Sequence, residues 1–574
     1  MDFDKLAPSL AATYDRYLEE ERRPGPLVRT SVMSGLVSAR QRAKPVRVVV
    51  KLECEPGASL DDLAGEGVEL NEGGRAVRTA LVEIGALDRV AAHPGIRRIA
   101  PAYRMRPLLD VAQRKAGVTV FRNTSHLTGQ GVLVGIVDTG IDPRHPDFAG
   151  RIERVWDQTI LGGSGVPEGR YGEEFPGNGQ ILSRDTEGHG THVAGIAAGV
   201  DGVAPGARIV MVKTDFDDAH IIDGIQYIFR VGRELNLPVV LNLSLGGHFD
   251  PHDGTDAMSQ AIEEEVGPGR IVCCAAGNEG DDDIHIQLTV PKGAVRSIPC
   301  HPGNSPVFAV NGWYPPSDRI EVAVVSPNGA TTPFQPVKTT GRPTSRHILP
   351  EGLVEITTPG PDPVNGDLNF FATVQSKDGE ALGNRPWQLV LRGATGGQGR
   401  VDAWILGGDH PVQFSGPRVQ DSMKVGSPGA ASSAVTVACH ATRVRWTDAG
   451  GTAREATWLQ EDDIASFSSE GPRRDGAAKP DITAPGAMII SAFSRDTEDM
   501  PAKFVVDSKH LALQGTSMAS PFVAGLAALL LEREPNLDRE KLMTILRAKA
   551  SFPGGAPGDF DPKWGNGLID ATDL

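Results

Sequence analysis

The chain has no uninterrupted apolar run of the roughly 18 residues that a membrane-spanning helix needs, so no membrane partner is expected. An excess of positive charge is missing too. Aspartate and glutamate outnumber lysine and arginine by 73 to 57, a formal net charge of −16. No basic stripe interleaved with aromatics stands out, which speaks against nucleic acid or an anionic membrane surface as a partner. Cysteine is scarce: Cys54, Cys273, Cys274, Cys300 and Cys439 are five in number and irregularly spaced. No Cys-x-x-Cys or Cys/His pairing of zinc-site spacing occurs, so no metal site and no cofactor are expected. The odd count, with Cys273 and Cys274 inside an apolar run, fits reduced core thiols of a reducing compartment. The first residues, Met1-Asp2-Phe3-Asp4-Lys5, lack a basic segment followed by an apolar stretch. The expectation is therefore a cytoplasmic protein, with non-classical export as the other route.

Glycine (68) and proline (43) are plentiful, as in loop-rich α/β or β proteins. A chain of 574 residues exceeds one hydrophobic core, so several folding units are expected. In residues 3–22, Leu6, Leu10, Tyr14 and Leu18 recur at four-residue spacing among charges, which predicts an amphipathic helix. Strands at 46–52, 76–84 and 96–100 and helical turns near 59–63 and 87–93 predict a compact α+β module. From about 117 the texture changes. Short, nearly continuous apolar runs at 132–137, 209–212, 239–243 and 271–275 alternate with helix-like segments near 191–199, 221–235 and 255–265. Strands buried on both faces between helices predict an α/β fold with a doubly wound, mostly parallel sheet. A helix over 518–533 closes it. Between 284 and 422, short strands at 320–325, 353–356, 368–374, 387–391 and 401–406 are separated by Gly/Pro-rich turns. That pattern predicts an inserted antiparallel β-sandwich or jelly roll. The expected domains are thus 1–108, 109–283, 284–422 and 423–574, the second and fourth forming one α/β body.

Four segments carry the chemistry. Val137-Asp138-Thr139-Gly140 ends a buried strand with a carboxylate, at the sheet edge where α/β proteins build sites. By itself a strand-end Asp is an ordinary turn former. Gly188-His189-Gly190-Thr191-His192 opens a helix, whose dipole should disfavour the charged ring and leave a neutral base at pH 7. A metal-ligand pair is the weaker alternative, since no third ligand sits at helical spacing. Gly515-Thr516-Ser517-Met518-Ala519-Ser520-Pro521 starts the closing helix, placing a serine Oγ beside N–H groups unsatisfied within the helix. A lone serine there would read as a helix cap. Ala275-Ala276-Gly277-Asn278-Glu279-Gly280 follows a buried strand with a turn bearing an amide, commonly just a left-handed residue unless a nucleophile needs a second donor.

Taken together these segments resemble the subtilases: VDTGID (137–142), HGTHVAG (189–195), AAGNEG (275–280) and GTSMASP (515–521), in the order Asp, His, Ser along the chain. GVAPGA (202–207), NLSLGG (242–247), FSSEGP (467–472), KPDITAPG (479–486) and GNGLIDA (565–571) add to the resemblance, which covers about 117–283 and 423–572. It implies a serine endopeptidase acting on peptide or protein substrates. Ser517 would be the nucleophile, His189 the base, Asp138 its orienting carboxylate and Asn278 an oxyanion donor, with His192 structural. Ser244, Leu245, Gly246 and Gly277 would line the substrate cleft. The N-terminal module resembles a subtilase propeptide, implying an inhibitory partner in the protein's own cleft and self-cleavage near Leu108 or Leu109, at the end of a tail over 103–110. The alternative is a latched or inactive scaffold that acts by binding protein. The stretch between Gly195 and Gly202 is shorter than the calcium-binding loop of secreted subtilisins, although Asp147 remains where a ligand would lie. The order of domains resembles that of clostridial spore-germination subtilases. Glu279 with Asp281, Asp282 and Asp283 would bring negative charge to the cleft rim, with a solvated acidic loop as the plainer reading.

Overall fold

The computed structural model describes residues 47–101 and 110–574, apart from 56–57, 66, 71–76, 178, 340–342, 396, 408–410 and 557. The helix expected at 3–22, the tail at 103–109 and the junction at Leu108 or Leu109 lie outside the described residues. The chain divides into two units, Met1–Pro107 and Leu108–Leu574.

In the first unit, β1 (Arg47–Cys54), β2 (Val68–Leu70), β3 (Val77–Glu83) and β4 (Ile96–Pro101) form an antiparallel sheet in the order β2-β3-β1-β4. Val48, Val50 and Leu52 share one buried face of β1, as the two-residue period of a strand requires. Against this cluster pack Leu87 and Val90 of α1 (Leu87–Ala92).

The second unit begins with α2 (Asp110–Lys115) and α3 (Val118–Ser125), then builds an α/β layer. Its strands are β5 (Leu133–Asp138), β6 (Ile152–Asp157), β7 (Glu173–Pro176), β8 (Arg208–Lys213), β9 (Val239–Leu243) and β10 (Arg270–Ala275). Between them run α4 (His189–Ala198), α5 (Asp218–Leu235) and α6 (Ala257–Glu265). Helix α4 begins two residues before the expected 191, at His189 itself, and α6 two residues after the expected 255. Asp256 decides the latter by capping α6, accepting from the N–H groups of Met258 and Ser259.

After β10 the chain enters the insertion. The six-stranded sheet β11-β19-β13-β17-β16-β15 contains β11 (His285–Thr289), β13 (Val307–Tyr314), β15 (Thr344–Leu349), β16 (Gly352–Thr357), β17 (Leu368–Gln375) and β19 (Arg400–Leu406). A four-stranded sheet, β14-β18-β12-β20, contains β12 (Val295–His301), β14 (Arg319–Val325), β18 (Trp387–Thr395) and β20 (Gln413–Phe414). Neighbouring strands pair antiparallel throughout both sheets, and Phe370, Trp387, Trp404 and Phe414 fill the core they share.

The chain then returns through β21 (Val435–His440), the hairpin β22 (Arg445–Thr447) and β23 (Ala453–Glu455), and β24 (Ile482–Pro485). A small sheet of β25 (Ile489–Ala492), β26 (Val505–Asp507) and β27 (His510–Leu513) precedes α7 (Thr516–Arg533) and α8 (Arg539–Arg547). The α/β sheet runs β24-β21-β10-β9-β5-β8-β6-β7, parallel except for the edge pair β6–β7. Side chains of α4 and α7 cover one face and those of α5 and α6 the other. Strand β5 sits between β8 and β9, where the winding reverses, so the ends of β5 and β9 open onto the crevice at that switch point.

Candidate active site

Asp138 is the last residue of β5 and is fully buried. Its Oδ1 accepts the Thr139 N–H and faces His189 Nδ1, both at 2.7 Å. A carboxylate only accepts, so the first proton of the ring sits on Nδ1, and in the neutral ring the lone pair is on Nε2. His189 is the first residue of α4, and its N-cap Gly188 has φ +85°, in the left-handed region open to glycine. Burial disfavours the charged ring, but Asp138 outweighs it, helped by Asp185 and Glu187, and the pKa lies above the ordinary histidine value. This corrects the expectation drawn from the helix dipole alone: a carboxylate in contact exceeds a partial charge at a helix end.

The start of α4 is held by a residue that no motif singled out. Asp185 is fully buried. Its Oδ1 accepts the Gly188 N–H (2.8 Å) and Thr139 Oγ1 (2.9 Å), and its Oδ2 accepts the Thr191 N–H (2.8 Å) and Thr191 Oγ1 (2.6 Å). One carboxylate thus ties the turn after β5 to the first turn of the helix that carries the base. The only sequence signal is an acidic residue four positions before His189. His192 is buried, with Nε2 3.0 Å from the Ile489 carbonyl and 3.1 Å from that of Leu511. Carbonyls require an N–H there, and burial lowers its pKa to about 3. It is a neutral strut between α4 and the sheet of β25 and β27.

Ser517 is the second residue of α7. Proline at 521 has no N–H to give to the carbonyl four residues earlier, which is that of Ser517. The Ser244 hydroxyl takes the vacant place, donating to Ser517 O at 2.7 Å. Asn242 Nδ2 donates to Ser244 Oγ (2.9 Å) and Ser520 Oγ donates to Asn242 Oδ1 (2.7 Å), so the end of β9 is stitched to the first turns of α7. In this rotamer Ser517 Oγ donates to the Ser244 carbonyl at 3.3 Å. Its hydrogen bond does not go to His189, so the structure brings Asp138 and His189 together but leaves the hydroxyl turned to β9.

Asn278 follows β10. Its Oδ1 accepts the Thr516 N–H (2.9 Å) and Thr516 Oγ1 (3.1 Å), which fixes the amide and turns Nδ2 away from Thr516. Gly515, at φ +148°, lets the chain pass close to Asn278 and the Ser517 nitrogen, where an added Cβ would lie 3.5 Å from Asn278 Oδ1 and 3.6 Å from both Nδ2 and the Ser517 nitrogen. Gly277, at φ +110°, makes the turn that aims the amide. Ser244, Leu245, Gly246 and Gly277 line a cavity of about 160 Å³ that also touches Ser517 and Glu279.

Asp147 has its main-chain carbonyl held by Arg151. The Arg151 guanidinium donates to the carbonyls of Asp147 and Ala198, and to that of Ala207 at 3.2 Å. All five cysteines are buried and free.

The sequence profile described as the subtilase family matches residues 129–336 and 381–567, more than half of the chain. Serine protease AprX of Bacillus subtilis (strain 168) is 24% identical over 473 residues, 79% of this chain and 69% of that protein. The major intracellular serine protease of the same organism is 31% identical over 202 residues. That match takes in 32% of this chain, which spans about half of the relative's length, 56%. The solved structure of the Clostridium perfringens CspB protease superposes with a TM-score of 0.66 at 24% identity, covering 81% of this chain and 96% of that one. At that identity the likeness speaks for the fold.

Proposed function

Because the chain belongs to the subtilase family, we propose that it is a serine endopeptidase in which Ser517, His189 and Asp138 form a catalytic triad beside an oxyanion hole. For this, Ser517 Oγ must exchange the Ser244 carbonyl for His189 Nε2. Active-site hydrogen bonds of this kind are often loose before substrate binds. Ser517 Oγ attacks the scissile carbonyl as His189 Nε2 takes its proton, and Asp138 steadies the resulting imidazolium through Nδ1. The negative oxygen is received by Asn278 Nδ2 and the Ser517 N–H. His189 then returns the proton to the leaving amine, and water repeats the cycle on the acyl-enzyme. The extended segment 244–246 offers backbone groups to a substrate strand.

The observation that carries this reading is the 2.7 Å His189–Asp138 contact, coupled to an Asn278 amide whose oxygen is already occupied. The N-terminal unit is proposed as a propeptide-like inhibitor of the cleft, released by cleavage near Leu108 or Leu109, and the compartment as the cytoplasm. A fluorophosphonate tests the core claim, since it acylates only an activated serine. The wild-type chain should label and Ser517→Ala should not. A wild-type chain that stays unlabelled after the N-terminal unit has been removed would favour the binding-scaffold alternative. Intact mass of a labelled chain tests self-cleavage separately.

A further inference from the structure

The cavity beside Ser517 has a wall that can change charge. Glu279 lines it, with Oε2 accepting the Asn278 N–H at 2.7 Å and Ser469 Oγ at 3.0 Å. Burial pushes this carboxyl up, but the neighbouring His248 ring, Ser469 and the Asn278 N–H outweigh it and hold it below the usual range. His248 lines the same cavity, its Nε2 3.6 Å from Glu279 Oε2.

Proton positions on this side of the cavity follow from the partners. His252 is fully buried, with Nδ1 3.1 Å from the Asp250 carbonyl, which can only accept. Its proton is therefore on Nδ1. Burial, with the charges of His248 and His285 adding, holds its pKa far below the ordinary histidine value. Its ring lies flat on Trp404 at 3.7 Å and 3°, with His285 stacked on the same indole at 4.7 Å. His252 Nε2 is thus an acceptor, and His248 Nδ1, 2.9 Å away, must be the donor to it. That fixes the first proton of His248 on Nδ1. Nε2, the atom facing Glu279, carries a proton only when the ring is charged. A neutral His248 presents a lone pair to the carboxylate, whereas a charged one presents an N–H and covers it. The insertion holds this arrangement, since Asn311 Nδ2 donates to the carbonyls of both His248 and Asp250 at 3.1 Å and Trp404 backs His252.

We propose that His248 is a specificity-determining residue: its charge state decides whether Glu279 is available to a cationic substrate side chain entering this cavity. Lysine or arginine is then preferred before the scissile bond at higher pH, and the preference fades on acidification. The inference rests on the peptidase reading above. Other charged groups surround the pair. Lys424 lines the cavity but gives its Nζ to the Gly280 and Asp282 carbonyls, at 3.0 and 2.7 Å. Asp250 lies behind His252, where burial and Asp256 push its carboxyl to about 7. From the returning α/β segment Arg474 adds its charge to the surroundings of His252, and in the insertion His285 stands 3.5 Å from Asp402. His189 also titrates, but it changes the turnover of every substrate alike and cancels in a ratio.

The test uses the full chain, with active sites counted by fluorophosphonate, and two peptides identical except for Lys or Leu before the scissile bond. The Lys/Leu ratio of kcat/KM should rise about tenfold from about pH 5 to about pH 8. In His248→Gln it should be high and flat, and in Glu279→Gln low and flat. A ratio whose pH dependence survives in His248→Gln overturns the proposal. Side-chain 15N shifts supply a readout independent of turnover, the His248 signals being assigned by their loss in His248→Gln. Nδ1 should stay protonated throughout, and Nε2 should be the nitrogen that gains a proton when the ring becomes charged. A neutral ring protonated on Nε2 refutes the proposal even in a chain that never labels. Failure to label refutes the peptidase reading alone.

Discussion

Strand β5 of the α/β layer is buried at all six positions, whereas β17 of the insertion alternates buried and half-buried residues until its last. The difference follows from what covers each sheet. Helices lie on both faces of the first, so its strands have no polar face and can offer chemistry only at their ends. Asp138 and Ser244 stand at such ends. The sandwich buries one face and wets the other, so its polar residues are spread along the strands rather than gathered. Where its polar groups do reach the cleft, as Asn311 does, they grip backbone instead of facing Ser517.

If reactivity lives only in the α/β body, Ser517→Ala should remove peptide turnover by on the order of 10⁶-fold, a magnitude carried over from subtilisin. The N-terminal and inserted regions would remain folded by circular dichroism. Asn278→Ala should lower kcat by about 10²–10³-fold with KM little changed, again on the scale of subtilisin. Equal losses in binding would mean that the amide is not aimed at a transition state. Acidification through the raised pKa of His189 should reduce kcat/KM about tenfold per pH unit, beginning above the ordinary value of 6.5. Stability has the opposite sign. The raised pKa of the folded state contributes stability that is complete below the unfolded value and lost as pH rises through the folded one. Thermal unfolding of wild type and His189→Ala should therefore converge toward alkaline pH. A wild-type advantage that grows with pH would contradict the pairing. Asp185→Asn, which puts an NH₂ among four donors, should cost about 1–3 kcal/mol of stability and about tenfold in kcat. Phe370→Ala marks the other end of the scale: about 3–5 kcal/mol lost from the sandwich, read by denaturant unfolding, with turnover per labelled site nearly unchanged. A collapse of turnover would show that the two regions do not divide the work in this way.

Much of the site was legible because four short strings sit at strand ends and helix starts, where local sequence dictates local geometry. The continuous apolar runs of β5, β9 and β10 announced the parallel sheet for the same reason that they are buried. Strand β6 (IERVWD) was missed because its first three residues are only half-buried and two of them, Glu153 and Arg154, are charged. So was β15, exposed or half-buried at five of its six positions. In β12 a proline interrupts the pattern. Asp185 escaped notice because its importance lies in four hydrogen bonds that join two stretches of chain, one of them reaching 46 positions back to Thr139. The direction of the His189 shift likewise depended on a contact across 51 positions, not on the helix that carries it.

The stitch between Thr516 and Asn278 joins residues 238 positions apart, with the whole sandwich between them. During synthesis the nascent polypeptide emerges amino end first, and regions fold as they appear. Asp138, His189 and Asn278 must therefore wait, without Ser517 beside them, until the chain has been made through α7. If Ser517 is the nucleophile proposed above, an intermediate that lacks the closing helix has no hydrolytic power, and activity arrives only with that helix.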